Sequence, residues 1–425
     1  MRVIVIGGGV IGVTTAYQLA RDGHEVVVVE RNERLAQEAS STNAGLIAPS
    51  HSFAWASPAA PMLLLRSLRG EATAIRVKPR LDLGLVTWGV RFLRECTAAR
   101  ARRNTLVKLR LCQYSQQQLE SVAEHEGIDY QQSDRGALYL YRTKDALRAG
   151  AEKMRLLQDH GQDIAVLDPA EAIALDRGLE PMRNRIAGAI YGRTDASGNS
   201  ELFTQRLADR CVAMGVTFHV GTNVTRLHAR GERVISIGTG TGRMEADAFV
   251  LAAGIRSPSL ARTVGQALPI YPAKGYSLTA AIKNPAAAPT IGGVDEATLV
   301  AWSRMGRELR MSSTAEFAGD DPRWTRRDFT NILKTAGELF PEAADWDGAR
   351  LRSCMRPMTP DGPPIIGVAR HTNLFYNAGH GHMGWTMACG SARILADLIA
   401  GQTPQISTIG LEAARYRQLS PRLPH

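Results

Sequence analysis

The chain opens with Arg2-Val3-Ile4-Val5-Ile6-Gly7-Gly8-Gly9-Val10-Ile11-Gly12 and, after one helical stretch, reaches Glu25-Val26-Val27-Val28-Val29-Glu30. Val3 to Ile6 is a short apolar run suited to a buried parallel strand. Gly7, Gly9 and Gly12 fall on the G-x-G-x-x-G spacing of a dinucleotide-binding turn. Gly7 permits the tight turn, Gly9 lets backbone approach a pyrophosphate without a Cβ in the way, and Gly12 lets the new helix pack closely on the strand. Phosphates then sit at the helix N-terminus, where unpaired N–H groups and the helix dipole favour negative charge. Asp22-Gly23 marks the helix stop, and the second strand ends on Glu30, placed to accept from ribose hydroxyls. An acidic residue there disfavours a 2′-phosphate, so FAD or NAD is expected in preference to NADP.

At 425 residues and 44% hydrophobic content the chain is long enough for about two domains and a large buried core. Its five cysteines (Cys96, Cys112, Cys211, Cys354, Cys389) are scattered and show no C-x-x-C spacing. Neither a disulfide framework nor a metal site is indicated, and a reducing cytoplasm fits. No apolar run has the length of a membrane span. The net charge of +10 is uneven, because residues 61–110 alone carry a net +9. Interleaved with Leu63-Leu64-Leu65 and Val86 to Val90, those cations suit peripheral contact with an anionic membrane surface, or else solvated helix faces. No motif for nucleic acid accompanies the charge.

Further along, Leu81 to Glu126 reads as helix, Gly136 to Tyr141 as strand and Asp145 to His160 as helix. A strand near Gly188 to Tyr191 and a turn at Asp195-Ala-Ser-Gly198 precede an amphipathic helix from Glu201 to Met214. Val216 to Val220 and Thr222 to Leu227 follow as extended segments. Arg233 to Ile237 and Met244 to Leu251 are expected to complete a small sheet, and Tyr276 to Thr279, Ala297 to Trp302 and Glu308 to Ser312 to belong to another. Near the end, strand Leu374 to Asn377 runs through Gly379-His-Gly-His-Met-Gly384 into a helix, repeating the opening order of strand, glycine loop and helix. The expected fold is α/β: a discontinuous Rossmann-like nucleotide domain (1–75, 186–262, 352–425) plus an α+β substrate domain (76–185, 263–351) with a mostly antiparallel sheet.

Five stretches carry a resemblance over nearly the whole chain: Gly7 to Gly12, Ser40-Ser-Thr-Asn-Ala-Gly45, Tyr271-Pro-Ala-Lys-Gly-Tyr-Ser277, Arg356-Pro-Met-Thr-Pro-Asp-Gly362, and Gly379-His-Gly381 with Gly384-Trp-Thr-Met-Ala-Cys-Gly390. The chain resembles flavoenzymes of the D-amino acid oxidase and glycine oxidase group, and most closely the D-amino acid dehydrogenase small subunit family. The resemblance implies an extended FAD, with its adenosine end near Glu30 and Arg31 and its pyrophosphate over Gly7, Gly9, Val10, Ile11 and Gly12. It implies that Ser40 and Ser41 reach the phosphates, that Asn43, Ala44, Gly45 and Leu46 run beside the flavin ring, that Val224 meets adenine, and that Ala253-Gly254 passes near the dinucleotide. The loop of Gly379, Gly381, His382, Met383, Gly384, Trp385 and Thr386 is then placed to offer N–H donors to the flavin's pyrimidine carbonyl, where charge collects on reduction.

By the same resemblance Arg356 holds the substrate carboxylate, since its planar fork matches a carboxylate bidentately. Tyr276 adds a hydroxyl to that carboxylate, Lys274 is a weaker candidate, and His51, His380 and His382 approach the ring. The implied reaction is oxidative deamination of a D-amino acid by hydride transfer from Cα to flavin N5, giving a 2-oxo acid or cyclic imine, with electrons passed to a quinone or another carrier. A glycine- or sarcosine-type oxidase and a non-enzymatic flavin module are the alternatives. Leu46 stands where the family usually has Gln, and Ser50-His51 where it usually has Gly-Tyr. An apolar wall at Leu46 favours compact apolar or cyclic substrates, such as D-proline or cis-4-hydroxy-D-proline, over long charged ones.

Overall fold

The computed structural model describes residues 1–68, 75–78 and 81–419. Strand Arg2–Ile6 lies inside a six-stranded sheet, parallel to Glu25–Val29 on one side and to Ala248–Leu251 on the other. Thr217–His219 extends the sheet beyond Glu25–Val29, and Leu374–Ala378 extends it beyond Ala248–Leu251, both parallel. Ile365–Val368 closes that edge antiparallel. Helices cover such a sheet on its faces, so the strand interiors are apolar on both sides: Val3, Ile4 and Val5 are fully buried. The sheet is assembled from the start, middle and end of the chain, as the two strand, glycine loop and helix units imply.

A nine-stranded sheet forms the other large layer. Its neighbours run Arg350–Met358, Tyr271–Ala281, Glu308–Phe317, Val300–Met305, Gly292–Asp295, Ala137–Tyr141, Gly188–Gly192, Ile164–Leu167, and short Ile75–Val77 pairs with Glu308–Phe317. All pairings are antiparallel except Gly292–Asp295 with Ala137–Tyr141 and Ile75–Val77 with Glu308–Phe317. The mostly antiparallel character expected of the second sheet is observed.

Local chemistry accounts for several departures from the sequence reading. The helix expected over Leu81 to Glu126 is two helices, Leu83–Glu95 and Ala98–Glu126. The Asp82 side chain accepts from Gly84 and Leu85 N–H at the first start, and Thr97 accepts from Arg100 N–H at the second. Apolar periodicity alone runs across that restart. Met244 to Leu251 is likewise broken: Gly242–Glu245 pairs in a small three-stranded sheet, whereas Ala248–Leu251 enters the parallel sheet. Strands Gly188–Gly192 and Arg350–Met358 lie in the nine-stranded sheet, not with the nucleotide segments to which they were expected to belong. Conversely, helix Ala98–Glu126 sets Leu111, Cys112, Tyr114 and Leu119 in the core formed by Val3, Val5 and Val13. Tertiary pairing decides these memberships, and a periodic pattern does not name its partner.

The basic stretch 61–110 is less free than its composition implies. Lys108 is buried, Lys78 pairs with Glu316 at 2.9 Å, and Arg100 and Arg103 pair with Glu95. Arg69, Glu71 and Arg80 lie outside the described residues.

Candidate active site

Strand Arg2–Ile6 ends at Gly7, whose φ of 115° suits glycine, and a Cβ there would meet Ala252 O at 2.5 Å. A Cβ on Gly12 would stand 1.8 Å from Gly7 O, so this glycine serves the close packing of helix Val10–Arg21 beneath the turn. A Cβ on Gly9 would come within 3.2 Å of Ser40 Oγ. The loop and helix start therefore form a cradle of bare backbone.

From this cradle a cleft of about 410 Å³ extends in both directions. Its lining includes Glu30, Arg31, Val224, Ala253 and Gly254, together with Gly7, Gly9, Val10, Ile11, Ser40 and Asn43. Gly379, Gly381, His382, Gly384, Trp385 and Arg356 line the rest. Glu30 is already engaged: one carboxylate oxygen accepts from Gly8 N–H at 2.6 Å and the other from Asn32 N–H at 2.8 Å. Each oxygen retains a second lone pair for a ribose hydroxyl. Arg31 pairs with Glu38.

Other expected contacts act from behind the wall. Ser40 Oγ accepts from Val10 N–H at 3.0 Å, so its lone pair caps the helix start. Ser41 turns its hydroxyl to the carbonyls of Gln37 and Glu38, away from the cleft. Ala44 O accepts from Ser303 Oγ. Gly45, at φ 80°, is closed in by Met305 and Ser303, and Leu46 packs against Gly292 in a short pairing with Ala196–Ser197. Thr386 Oγ1 donates to Leu46 O and accepts from Ala48 N–H, tying that segment to helix Gly384–Ile399, and Met383 joins the core. Ser40 also lines the cleft, whereas Ser41, Ala44, Gly45, Leu46, Met383 and Thr386 shape it without lining it.

Tyr276 does not reach the cleft where the resemblance placed it; it lies in the core. It is 1% exposed and packs edge-on against Phe329 at 5.2 Å. In the strand pairing Arg356 sits opposite Ala273, which shares a face with Gly275, so Tyr276 projects from the other face of the sheet. The alternation that buries one puts the other in the cleft. Lys274 is buried too, 3.6 Å from Glu316. Arg356 lines the cleft, with its Nη2 3.4 Å from Ser312 Oγ and from Ser313 O; burial pulls the guanidinium down from its usual range.

His51 does not line this cleft. Its Nε2 lies 3.4 Å from Glu296 Oε1, its ring stacks on Tyr139 at 5.5 Å, and it meets the His382 ring edge-on at 6.4 Å. His382 stacks on Trp55 at 4.7 Å. Burial, then Lys108, His51 and Arg356, hold His382 well below the usual histidine range, so its imidazole is neutral. Burial lowers His380 to about 3, and its Nε2 faces Ser391 Oγ.

Several cleft-side groups escaped the sequence reading. Asn377 donates to Thr15 Oγ1, while its Oδ1 is buried without a hydrogen-bond partner, as is Nε1 of Trp385, which the resemblance did place at the cofactor; both residues line the cleft. Buried polar atoms left this way mark where a polar ligand belongs. Asp195 and Tyr139 bond at 2.6 Å behind Ser50-His51. Lys108, buried on the inward face of its helix, had one available signal: Thr105, Lys108 and Cys112 share the i, i+3, i+7 stripe that faces inward. Among the described residues no cluster of His, Cys, Asp and Glu suits a metal ion.

The glycine cradle, the acidic residue at one end and the orphaned donor and acceptor together fit a bound dinucleotide. Comparison with known proteins points the same way. The chain matches the FAD dependent oxidoreductase family over residues 2–398. It is 43% identical to D-amino acid dehydrogenase 2 of Mesorhizobium japonicum, over 97% of this chain and 99% of that protein. It is also 43% identical to the D-amino acid dehydrogenase of Methylobacterium radiotolerans, over 98% of this chain and all of that one. The fold is similar to that of glycine oxidase from Geobacillus kaustophilus, with a TM-score of 0.75 and 21% identity over 97% of this chain and 98% of that chain.

Proposed function

Because the chain belongs to the family of FAD-dependent oxidoreductases, we propose that it dehydrogenates D-amino acids as the flavin-bearing small subunit of a D-amino acid dehydrogenase, with Arg356 as the anchor for the substrate carboxylate. One observation carries this reading: a buried arginine lines the same cleft as the dinucleotide cradle. Bound FAD supplies the two-electron acceptor for the hydride leaving Cα, and the resulting imine hydrolyses to a 2-oxo acid and ammonia or persists as a cyclic imine.

The chain's own contribution is orientation and electrostatics. Arg356 offers two parallel N–H donors to the carboxylate and so fixes which face of Cα is presented. His382, held neutral, adds no second fixed charge to that side of the cleft. The Gly379 to Gly384 loop brings backbone N–H groups and the start of helix Gly384–Ile399 to the cleft, where they favour negative charge. Trp55 stacks on His382 at 4.7 Å and backs that side of the cleft with an aromatic surface.

A quinone or similar carrier is the proposed electron acceptor, reached at a membrane surface. Helix Leu83–Glu95 buries Trp88 and Phe92 while Leu83, Val86, Val90 and Leu93, spaced i, i+3, i+7 and i+10, remain 86, 59, 46 and 50% exposed. Helix Ala60–Leu68 adds exposed Met62, Leu63 and Leu65. A solvent-facing apolar stripe beside Arg94 suits an anionic bilayer interface. Among the described residues no helix is long and apolar enough to cross a membrane.

The test is a visible spectrum of the purified holoenzyme titrated anaerobically with a panel of D-amino acids. Bleaching by D- but not L-enantiomers, with electrons delivered to a quinone analogue, supports the reading. Stoichiometric peroxide in air would assign an oxidase instead, and a spectrum unmoved by every amino acid would remove the proposal.

A further inference from the structure

Lys108 is 1% exposed, and its Nζ donates to Phe53 O at 3.0 Å. Among the described residues it forms no ion pair; the titratable groups that act on it are the Cys112 thiol, which favours its charge, and a second cation, Lys153, which opposes it. Burial pulls it down to about 8. An ammonium carries three N–H donors, so two remain beyond the bond to Phe53. His382 Nε2 is also buried without a hydrogen-bond partner. Both side chains line a cavity of about 10 Å³ walled by Trp55, Trp88 and Met358. That volume admits about one oxygen atom. Gly381 and His382 line the main cleft as well, so the small cavity adjoins that cleft, which Arg356 also lines.

We propose that Lys108 and His382 form a subsite for a hydroxyl group on the substrate side chain, so that the enzyme prefers hydroxylated D-amino acids to their deoxy counterparts. The inference rests on the reading of the cleft as a D-amino acid site. The room is for one oxygen, where a carboxylate would bring two. The other polar groups near the cavity are already spent: Trp88 Nε1 donates to Met358 O at 2.9 Å, and Thr359 Oγ1 donates to Pro363 O at 2.9 Å. The walls are otherwise apolar, and a few placed donors in an apolar pocket are what set orientation and selectivity. A hydroxyl oxygen satisfies donors that a hydrogen or methylene leaves unpaired, and sites built to bond a hydroxyl reject the analogue that lacks it far more strongly than apolar pockets reject an extra methylene. Leu46, which the sequence reading made the selective wall, packs against Gly292 instead.

The experiment compares kcat/KM within each enzyme for two matched pairs, D-serine against D-alanine and cis-4-hydroxy-D-proline against D-proline, so that general damage cancels in the ratio. Wild type should favour the hydroxylated member of at least one pair by about tenfold or more, and Lys108→Met should erase most of that preference. Lys108→Gln, which keeps an N–H donor on a shorter stem, should retain part of it. If Lys108→Met yields no holoenzyme, His382→Phe provides the same comparison. Wild-type ratios near one, or ratios unchanged in the variants, overturn the subsite while leaving D-amino acid oxidation standing. A preference for D-aspartate over D-serine that Lys108→Met abolishes overturns the hydroxyl assignment in favour of an anion. Failure of every amino acid to bleach the flavin removes the parent reading and the subsite with it.

Discussion

Arg356 and Gly275 occupy the same face of adjacent antiparallel strands, and the guanidinium rests over bare backbone: a Cβ at position 275 would lie 2.5 Å from Arg356 Nη2 and 2.7 Å from its Cζ. The strand register sets this up by pairing Ala273 with Arg356 and leaving Gly275 two residues along on that face. A missing side chain on one strand thus makes the berth for the Arg356 guanidinium, the proposed substrate anchor, on the next.

Gly275→Ala should therefore displace the guanidinium while sparing the cofactor cradle, which lies on the other sheet. The expected outcome is a raised KM for D-amino acids with flavin content and absorbance spectrum retained. Steady-state kinetics alongside the flavin-to-protein ratio checks it, and an unaltered KM would show that Arg356 tolerates the methyl.

Removing the proposed anchor itself should be more severe. Arg356→Ala should cost on the order of 2–5 kcal/mol of transition-state binding, tens- to thousands-fold in kcat/KM, with FAD still bound. Arg356→Lys should recover only part, because a point charge cannot reproduce the two parallel bonds. Near-normal kinetics in the alanine variant would take Arg356 out of the site.

One substitution type should have opposite signs at two glycines. Gly12→Ala forces a Cβ to within 1.8 Å of Gly7 O and should abolish flavin binding and depress soluble yield. Gly337→Ala, inside helix Thr330–Leu339 with nothing within 4 Å of the added carbon, should stabilise by about 0.5–1 kcal/mol. Thermal melts and flavin content report both, and a flavin-replete Gly12→Ala protein would contradict the cradle.

Asp195 gives a pH dependence with a definite sign. Burial raises its carboxyl to about 6, against the pull of its bonds from the Tyr139 hydroxyl and Ser50 N–H. The folded chain then keeps a proton that the unfolded chain releases, so this contribution to stability is full below about pH 4 and is lost as pH rises through about 6. Asp195→Asn removes the titration. The stability of wild type relative to the variant should fall by roughly 2 kcal/mol between pH 4 and 7. Denaturant melts at several pH values measure the difference, and parallel pH curves would refute it.

For the exposed stripe, Val86→Asp with Val90→Asp should weaken sedimentation with anionic vesicles at low salt while leaving reduction by D-amino acids intact. Both sites are exposed, so folding is little affected. Binding that is unchanged by the two aspartates, or absent in wild type, would assign the stripe another role.

Local pattern was enough for the dinucleotide unit, because each requirement there is local. A strand of β-branched residues, glycines where a turn and a close approach demand them, and an acidic strand end all follow one another in Val3 to Glu30. The second glycine loop, Gly379 to Gly384, was legible for the same reason. The partners of most other segments were not. Strand Gly188–Gly192 and helix Ala98–Glu126 have clear periodicities, yet which sheet receives them depends on contacts far away in sequence. Tyr276 and Arg356 are the clearest case. Both sit in stretches that resemble a family motif, but strand alternation and cross-strand register, which no single segment contains, send Tyr276 to the core and Arg356 to the cleft. Lys108 shows the converse: its sequence neighbourhood reads as surface charge, and only the packing of its helix against the 53–55 loop and His382 turns it into a buried cation beside the site. Short-range stereochemistry determined the cofactor cradle from sequence alone, whereas the substrate side is built from side chains brought together by long-range register and helix packing, and only the tertiary structure decided it.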